Sequence, residues 1–138
     1  LISYSKNQIF LLGNVMAKKI LVIEDNDKNR KLIRDVLRYH SYEIIEAENG
    51  EEGIKRIKGL LPDLILLDIQ MPVMNGFDTI KALKDSPETK NIKVIALTSF
   101  AMVGDKEKML EAGFDDYISK PIDTRQLPEI IKKCIGWD

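Results

Sequence analysis

Four short apolar runs in this chain each lead into a polar residue suited to phosphoryl chemistry. Ile20-Leu21-Val22-Ile23 is followed by Glu24-Asp25, and Leu64-Ile65-Leu66-Leu67 by Asp68. Val94-Ile95-Ala96-Leu97 is followed by Thr98, and Tyr117-Ile118 by Ser119-Lys120. Clustered carboxylates bind a hard cation such as Mg²⁺ or Mn²⁺. Without one they repel each other and raise their own pKa values. One carboxylate in such a cluster can also act as a nucleophile and carry a phosphoryl group as an aspartyl phosphate. A hydroxyl and an ammonium nearby suit the oxygens of that group, the ammonium as a compact charge that can change partners.

These residues act together only if the fold gathers them. Apolar runs alternating with helical patterns predict parallel strands joined by crossover helices. In such a sheet the ligand crevice lies beyond the carboxyl ends of the strands, where all five residues stand. The first strand is expected over about Lys19–Ile23. Asn26 or Asp27 can cap the next helix, whose stripe is Leu32, Ile33, Val36 and Leu37. Tyr42–Ala47 reads as a second strand, at an edge because of Glu43 and Glu46. Asn49-Gly50 opens a helix with apolar Ile54, Ile57 and Leu61, which Pro62 stops. Asp63–Leu67 is the most apolar strand and is expected at the centre, covered on both faces. A loop over Met71-Pro72-Val73-Met74-Asn75-Gly76 leads to a helix through Leu83, ended by Ser86-Pro87. Ile92–Leu97 is the fourth strand. Val103–Ala112 is a helix closed by Gly113, and Asp115–Ile118 is a short fifth strand. The last helix runs from about Thr124 to Ile135 with Pro128 near its start.

Size and composition narrow the class. A chain of 138 residues fits one domain and can bury a sizeable core. Hydrophobic residues make up 44% and charged residues 31%, which favours an ordinary soluble globular protein over a disordered one. The formal net charge of −1 removes the main argument for nucleic-acid binding. No run approaches the roughly 18 apolar residues of a membrane helix. The single cysteine, Cys134, allows no intrachain disulfide and fits a reducing cytoplasm. It lies in the apolar stripe Leu127, Ile130, Ile131, Cys134, Ile135 and reads as a buried helix thiol. His40, the only histidine, reads as a surface residue at a helix end. Residues 1–15 lack sustained periodicity, and Met16-Ala17-Lys18-Lys19 resembles a start ahead of the first strand. They are expected to be an extension, upstream of the protein proper or introduced for expression, with the functional domain over 16–138.

Taken together, these residues resemble the receiver domain of bacterial two-component response regulators. The resemblance spans residues 18–135. It is carried by Glu24-Asp25, Asp68, Met71-Pro72, Asn75-Gly76, Thr98, Tyr117 and Lys120-Pro121, in that order and at strand ends. It implies a flavodoxin-like α/β fold, a (βα)5 three-layer sandwich around a parallel five-stranded sheet of order 2-1-3-4-5. The runs Ala96–Met102 and Tyr117–Ile122 are most similar to stand-alone regulators of the DivK-like type. Glu24 departs from the aspartate that many relatives carry. Its longer arm allows a water-mediated rather than direct metal contact.

The resemblance also implies roles. Asp68 accepts a phosphoryl group from a histidine kinase or a histidine phosphotransfer protein. Glu24, Asp25, Asp68 and the backbone carbonyl of Gln70 hold Mg²⁺. Lys120, ahead of a cis Lys120–Pro121 bond, pairs with Asp68 and then with a phosphoryl oxygen. Thr98 hydrogen-bonds the phosphoryl group, and Tyr117 turns inward as part of the switch. Gln70 and Phe100 flank the site and tune phosphoryl lifetime. The first helix and the loops near Lys120 are the expected kinase-docking surface. The fourth helix, fifth strand and fifth helix form the expected output face. With no output domain after residue 138 in this sequence, output is expected through a downstream protein or onward phosphotransfer. Neither nucleic acid nor a membrane is expected as a partner.

Three other readings are possible. The chain can be a receiver excised from a hybrid histidine kinase. An Asp-nucleophile phosphatase needs a second acid two residues after the nucleophile, where Gln70 stands. A flavodoxin needs a phosphate loop after the first strand, where Glu24-Asp25-Asn26-Asp27 repels phosphate.

Overall fold

Asparagine starts each of the first three helices, and all three caps lie at the end of the sheet that carries the acidic residues. Side-chain oxygens of Asn26, Asn49 and Asn75 accept hydrogen bonds from the N–H groups of Asn29, Glu52 and Asp78, at 2.8–2.9 Å. Each such cap is worth about 1 kcal/mol to the helix it starts. The computed structural model describes residue 5 and residues 17–71, 73–99 and 105–136. The expected extension over residues 1–15 (Ser5 apart), Pro72, Phe100 and the start of the Val103–Ala112 helix lie outside the described residues.

The elements in order are β1 (Lys19–Ile23), α1 (Asp27–Tyr39), β2 (Glu43–Ala47), α2 (Gly50–Ile57), β3 (Leu64–Asp68), α3 (Gly76–Asp85), β4 (Lys93–Thr98), α4 (Asp105–Ala112), β5 (Asp116–Ser119) and α5 (Gln126–Ile135). All strand pairs are parallel, in the order β2-β1-β3-β4-β5. This is the flavodoxin-like plan. β3 is buried throughout and β2, with its glutamates, is an edge. Among the described residues, no helix is long and apolar enough to cross a membrane.

Strand alternation divides the core in two. Ile20, Val22, Leu64, Leu66, Ile95, Leu97 and Ile118 face α1 and α5, meeting Ile33, Leu37, Leu127 and Ile131. Leu21, Ile23, Ile65, Leu67, Val94 and Ala96 face the other three helices, meeting Ile57, Ile80, Leu83 and Met109. Helices on both faces explain why the central strands read as continuous apolar runs.

Several expectations change. α2 ends at Ile57 rather than running to Leu61, which is 62% exposed. A proline disfavours helix at the residue before it, and Leu61 lies past the end of α2, so its helical spacing is accidental. In α1, Ile33 and Leu37 are fully buried, but Leu32 lies at the rim, 37% exposed. Strands β3 and β4 also continue one residue past their apolar runs, into Asp68 and Thr98, because the ladder depends on backbone and not on side-chain polarity. Gly113 does close α4, at φ 109° where a Cβ is strained.

Candidate phosphoryl-transfer site

Alternation also selects the site. Glu24, Asp68 and Lys120 continue, two residues on, the series Val22, Leu66 and Ile118, all of which face α1 and α5. The ladder holds just past the strands and fixes their backbones. Glu24 N–H donates to Ala47 at 3.1 Å, Ile69 N–H to Leu97 at 3.1 Å, and Lys120 N–H to Thr98 at 2.8 Å. The Lys120–Pro121 peptide bond is cis.

The side chains meet beyond the sheet. Lys120 Nζ lies 3.0 Å from Asp68 Oδ2, 3.2 Å from Glu24 Oε1 and 3.1 Å from Glu24 Oε2. Asp68 Oδ1 accepts the Gln70 N–H at 2.9 Å. Asp68 is 1% exposed and Glu24 fully buried, while Asp25 is exposed at the mouth. Glu24, Asp25 and Asp68 each offer an oxygen within 4.8 Å of the others. Oxygens on opposite sides of an octahedral Mg²⁺ lie about 4.2 Å apart. The cluster therefore fits a small hard cation with slight contraction. Glu24 Oε2 adds to the fit, being buried and without a well-aligned hydrogen bond despite the ammonium beside it.

Burial, first of all, raises the Asp68 carboxyl above the ordinary carboxylate range, and neighbouring Glu24 adds to the rise. The Gln70 N–H and Lys120 act in the opposite direction but do not win. Burial also works against the Lys120 charge, but its bonds to Asp68 and Glu24 outweigh it, and the ammonium is held above its ordinary value. The site thus sets a carboxylate whose charge burial disfavours beside a lysine whose charge its partners favour.

Thr98 and Tyr117 belong to the other face. Thr98 is fully buried and follows Leu97, the register partner of Asp68. Tyr117 pairs with Ala96 and is half-buried, packed against the core on the α4 side. Lys106 of α4 sits 6.0 Å from the Tyr117 ring centroid. Gln70 is exposed, and its Oε1 accepts the Ser99 N–H at 3.2 Å, linking the loop after β3 to the end of β4. His40 is the C-cap of α1 and takes no part in the site; Cys134 is only half-buried, its thiol pushed up mainly by burial.

Sequence reasoning missed two residues. Asn29 Nδ2 donates to Glu24 Oε1 at 3.0 Å, and Arg30 Nη1 donates to the Glu24 carbonyl at 2.7 Å. Their signal was position. Side chains in a helix lean toward its N-terminus, so polar residues in the first turn of α1 point back at the loop that precedes it.

The description "response regulator receiver domain" matches residues 20–132 of the chain. The polar-differentiation response regulator DivK of Brucella anthropi is 44% identical over 121 residues, covering 88% of this chain and 98% of that protein. The receiver domain of sensor histidine kinase PA1611 from Pseudomonas aeruginosa PAO1, solved with magnesium coordinated in its active-site cleft, is 30% identical. It superposes with a TM-score of 0.80 over 88% of this chain and 99% of that one. The chemotaxis response regulator CheY4 of Vibrio cholerae, 24% identical, shares the fold with a TM-score of 0.81 over 86% of this chain and 98% of its own. With this match along most of its length, the chain belongs to the response regulator receiver domain family.

Proposed function

We propose that this protein is a single-domain response regulator that takes a phosphoryl group from a phosphohistidine onto Asp68. The observation that carries the reading is Asp68 itself: a buried strand-end carboxylate, paired with Lys120 and sharing a 4.8 Å cluster with Glu24 and Asp25. One Asp68 oxygen attacks phosphorus in line. The O–P bond forms as the P–N bond breaks, and the donor imidazole nitrogen leaves with the electron pair. Lys120 releases Asp68 and takes a phosphoryl oxygen instead. Glu24, Asp25, Asp68 and the Gln70 carbonyl are the proposed ligands of Mg²⁺ or Mn²⁺. When bound, that cation relieves the repulsion among the carboxylates and offsets the charge of the phosphoryl oxygens. Thr98 donates its hydroxyl to the phosphoryl group, and Tyr117 follows it inward.

The donor is a sensor histidine kinase or a histidine phosphotransfer protein, and the receiver domain is residues 16–138. Residues 1–15 make no contribution to the chemistry. The protein catalyses only its own phosphorylation and dephosphorylation, in the cytoplasm. Relatives named for polar differentiation, of which this chain covers 98%, support an output through protein contacts or onward phosphotransfer. Incubation with acetyl phosphate and Mg²⁺ is expected to add one phosphoryl mass, which EDTA prevents and Asp68→Asn abolishes. Label that survives in Asp68→Asn removes the assignment.

A further inference from the structure

Among the described residues, the buried charged side chains are Glu24, Asp68 and Arg30. The first two belong to the carboxylate cluster. Arg30, 9% exposed, lies in the first turn of α1. A buried charge is retained at a cost unless it is well paired, so its partners indicate its role. Nη1 donates to the Glu24 carbonyl at 2.7 Å, and Nη2 pairs with Asp27. Nε lies 3.7 Å from Glu46 and Nη2 3.7 Å from Glu48, at the end of β2. One guanidinium therefore ties the exit of β1 to the start of α1 and the end of β2.

The tie to Glu24 is the important one. The Glu24 N–H is already fixed by Ala47 of β2. Arg30 holds the other side, the carbonyl of the peptide that joins Glu24 to Asp25. Both carboxylates project from the residues that flank this peptide. We infer that Arg30 is a positioning residue for cation binding, setting the Glu24–Asp25 peptide from behind without touching a carboxylate of the cluster. This rests on the reading of Glu24 and Asp25 as cation ligands.

Charge and position predict opposite signs. Arg30 is a cation close to a cation site, so if charge alone acted, its removal would tighten Mg²⁺ binding. If it positions the ligands, its removal weakens binding, by about tenfold, the lower end of what losing an outer-shell partner costs. Arg34 is a natural control. It also projects from α1 and bonds both Glu46 oxygens at 2.9 Å, but makes no bond to Glu24.

The test titrates MgCl2 at fixed ionic strength into wild type, Arg30→Met, Arg30→Lys and Arg34→Met, by calorimetry and by amide NMR. Arg30→Met is expected to bind about tenfold more weakly, with amide shifts displaced at residues 24–27 before any Mg²⁺ is added. Arg30→Lys is expected to fall between Arg30→Met and wild type, because a lysine keeps the charge but only one of the ties. Arg34→Met is expected to stay within about twofold of wild type, since a part-exposed pair is worth little. Affinity in Arg30→Met equal to or tighter than wild type overturns the inference. So does an equal loss in Arg34→Met, which would mark a general effect on the fold. Should Arg30→Met not fold, Arg30→Lys decides alone, and wild-type affinity there overturns it. A wild-type protein that binds no Mg²⁺ is a different result, refuting the ligand reading on which the inference rests.

Discussion

Gly76 opens α3 directly behind the proposed phosphoacceptor, and adding one methyl group there tests how tightly the site is built. A Cβ at Gly76 would lie 2.4 Å from Ile69 Cα, 2.8 Å from Ile69 Cγ2 and 2.9 Å from the Asp68 carbonyl oxygen. Carbon atoms in contact sit about 3.5–4.0 Å apart, so the overlap with Ile69 Cα exceeds about 1 Å. Two of the three clashing atoms are backbone and cannot rotate away. Overpacking of this kind costs about 1–3 kcal/mol, and this geometry belongs at the upper end. Ala restricts the unfolded chain relative to Gly and returns about 0.4–1 kcal/mol. The net loss is about 2 kcal/mol, or a fall of roughly 8 °C in thermal midpoint at about 4 °C per kcal/mol for a domain of this size. Relief of the clash has to move Ile69 and with it Asp68. A shift of about 1 Å at a reacting group can slow the reaction by about a hundredfold. Phosphorylation by acetyl phosphate, followed by mass spectrometry beside urea denaturation, reads both effects. Gly59→Ala is the control, since its Cβ meets nothing within 4 Å. A Gly76→Ala protein as stable and as fast as wild type would refute the packing argument.

Three further outcomes follow from the same geometry. Thr98→Ala should still take up phosphate, but lose a bond worth about 1.5–3 kcal/mol to the activated state, a ten- to hundredfold shift in the switch; beryllium fluoride should then no longer produce wild-type NMR shifts over residues 105–117. Lys120→Met should bind Mg²⁺ more tightly, because the ammonium 3.0 Å from Asp68 and 3.1 Å from Glu24 opposes a cation there, yet take up phosphate more slowly; unchanged affinity by calorimetry would deny that competition. Asp68→Asn should stabilise the Mg²⁺-free protein at neutral pH. The folded-state pKa of Asp68 is raised, chiefly by burial, so wild-type stability falls as pH rises from the ordinary carboxylate range through the raised value. The advantage of Asn should therefore vanish in acid, and thermal melts that show it independent of pH would exclude burial of charge as its cause.

The strand-end carboxylates and Lys120 were legible because a parallel sheet gathers whatever follows its strands. Apolar runs marked the strands, and the next residues marked the site. The pairing of Lys120 with Asp68 could be anticipated from their charges. Its second partner, Glu24, could not, because that contact depends on how far two long side chains reach toward each other from the ends of β1 and β5, with β3 and β4 between them. Arg30 stands among many charged residues on α1. Its burial depends on where the end of β2 runs, a long-range fact that helical periodicity does not contain. Leu61 misled in the opposite way, by falling at helical spacing beyond the end of α2, next to a proline that disfavours helix at the residue before it. Local pattern thus located the strand-end carboxylates and Lys120 of the proposed site, while the supporting bonds around Glu24 required the tertiary structure.

The central claim is that Asp68 carries the phosphoryl group. An aspartyl phosphate is reduced by borohydride to homoserine, which marks the modified position permanently. The protein, phosphorylated by a histidine phosphotransfer donor with Mg²⁺, then reduced, digested and sequenced by tandem mass spectrometry, should show homoserine at position 68 and at no other aspartate. Homoserine at Asp25, or at any position other than 68, would contradict the account.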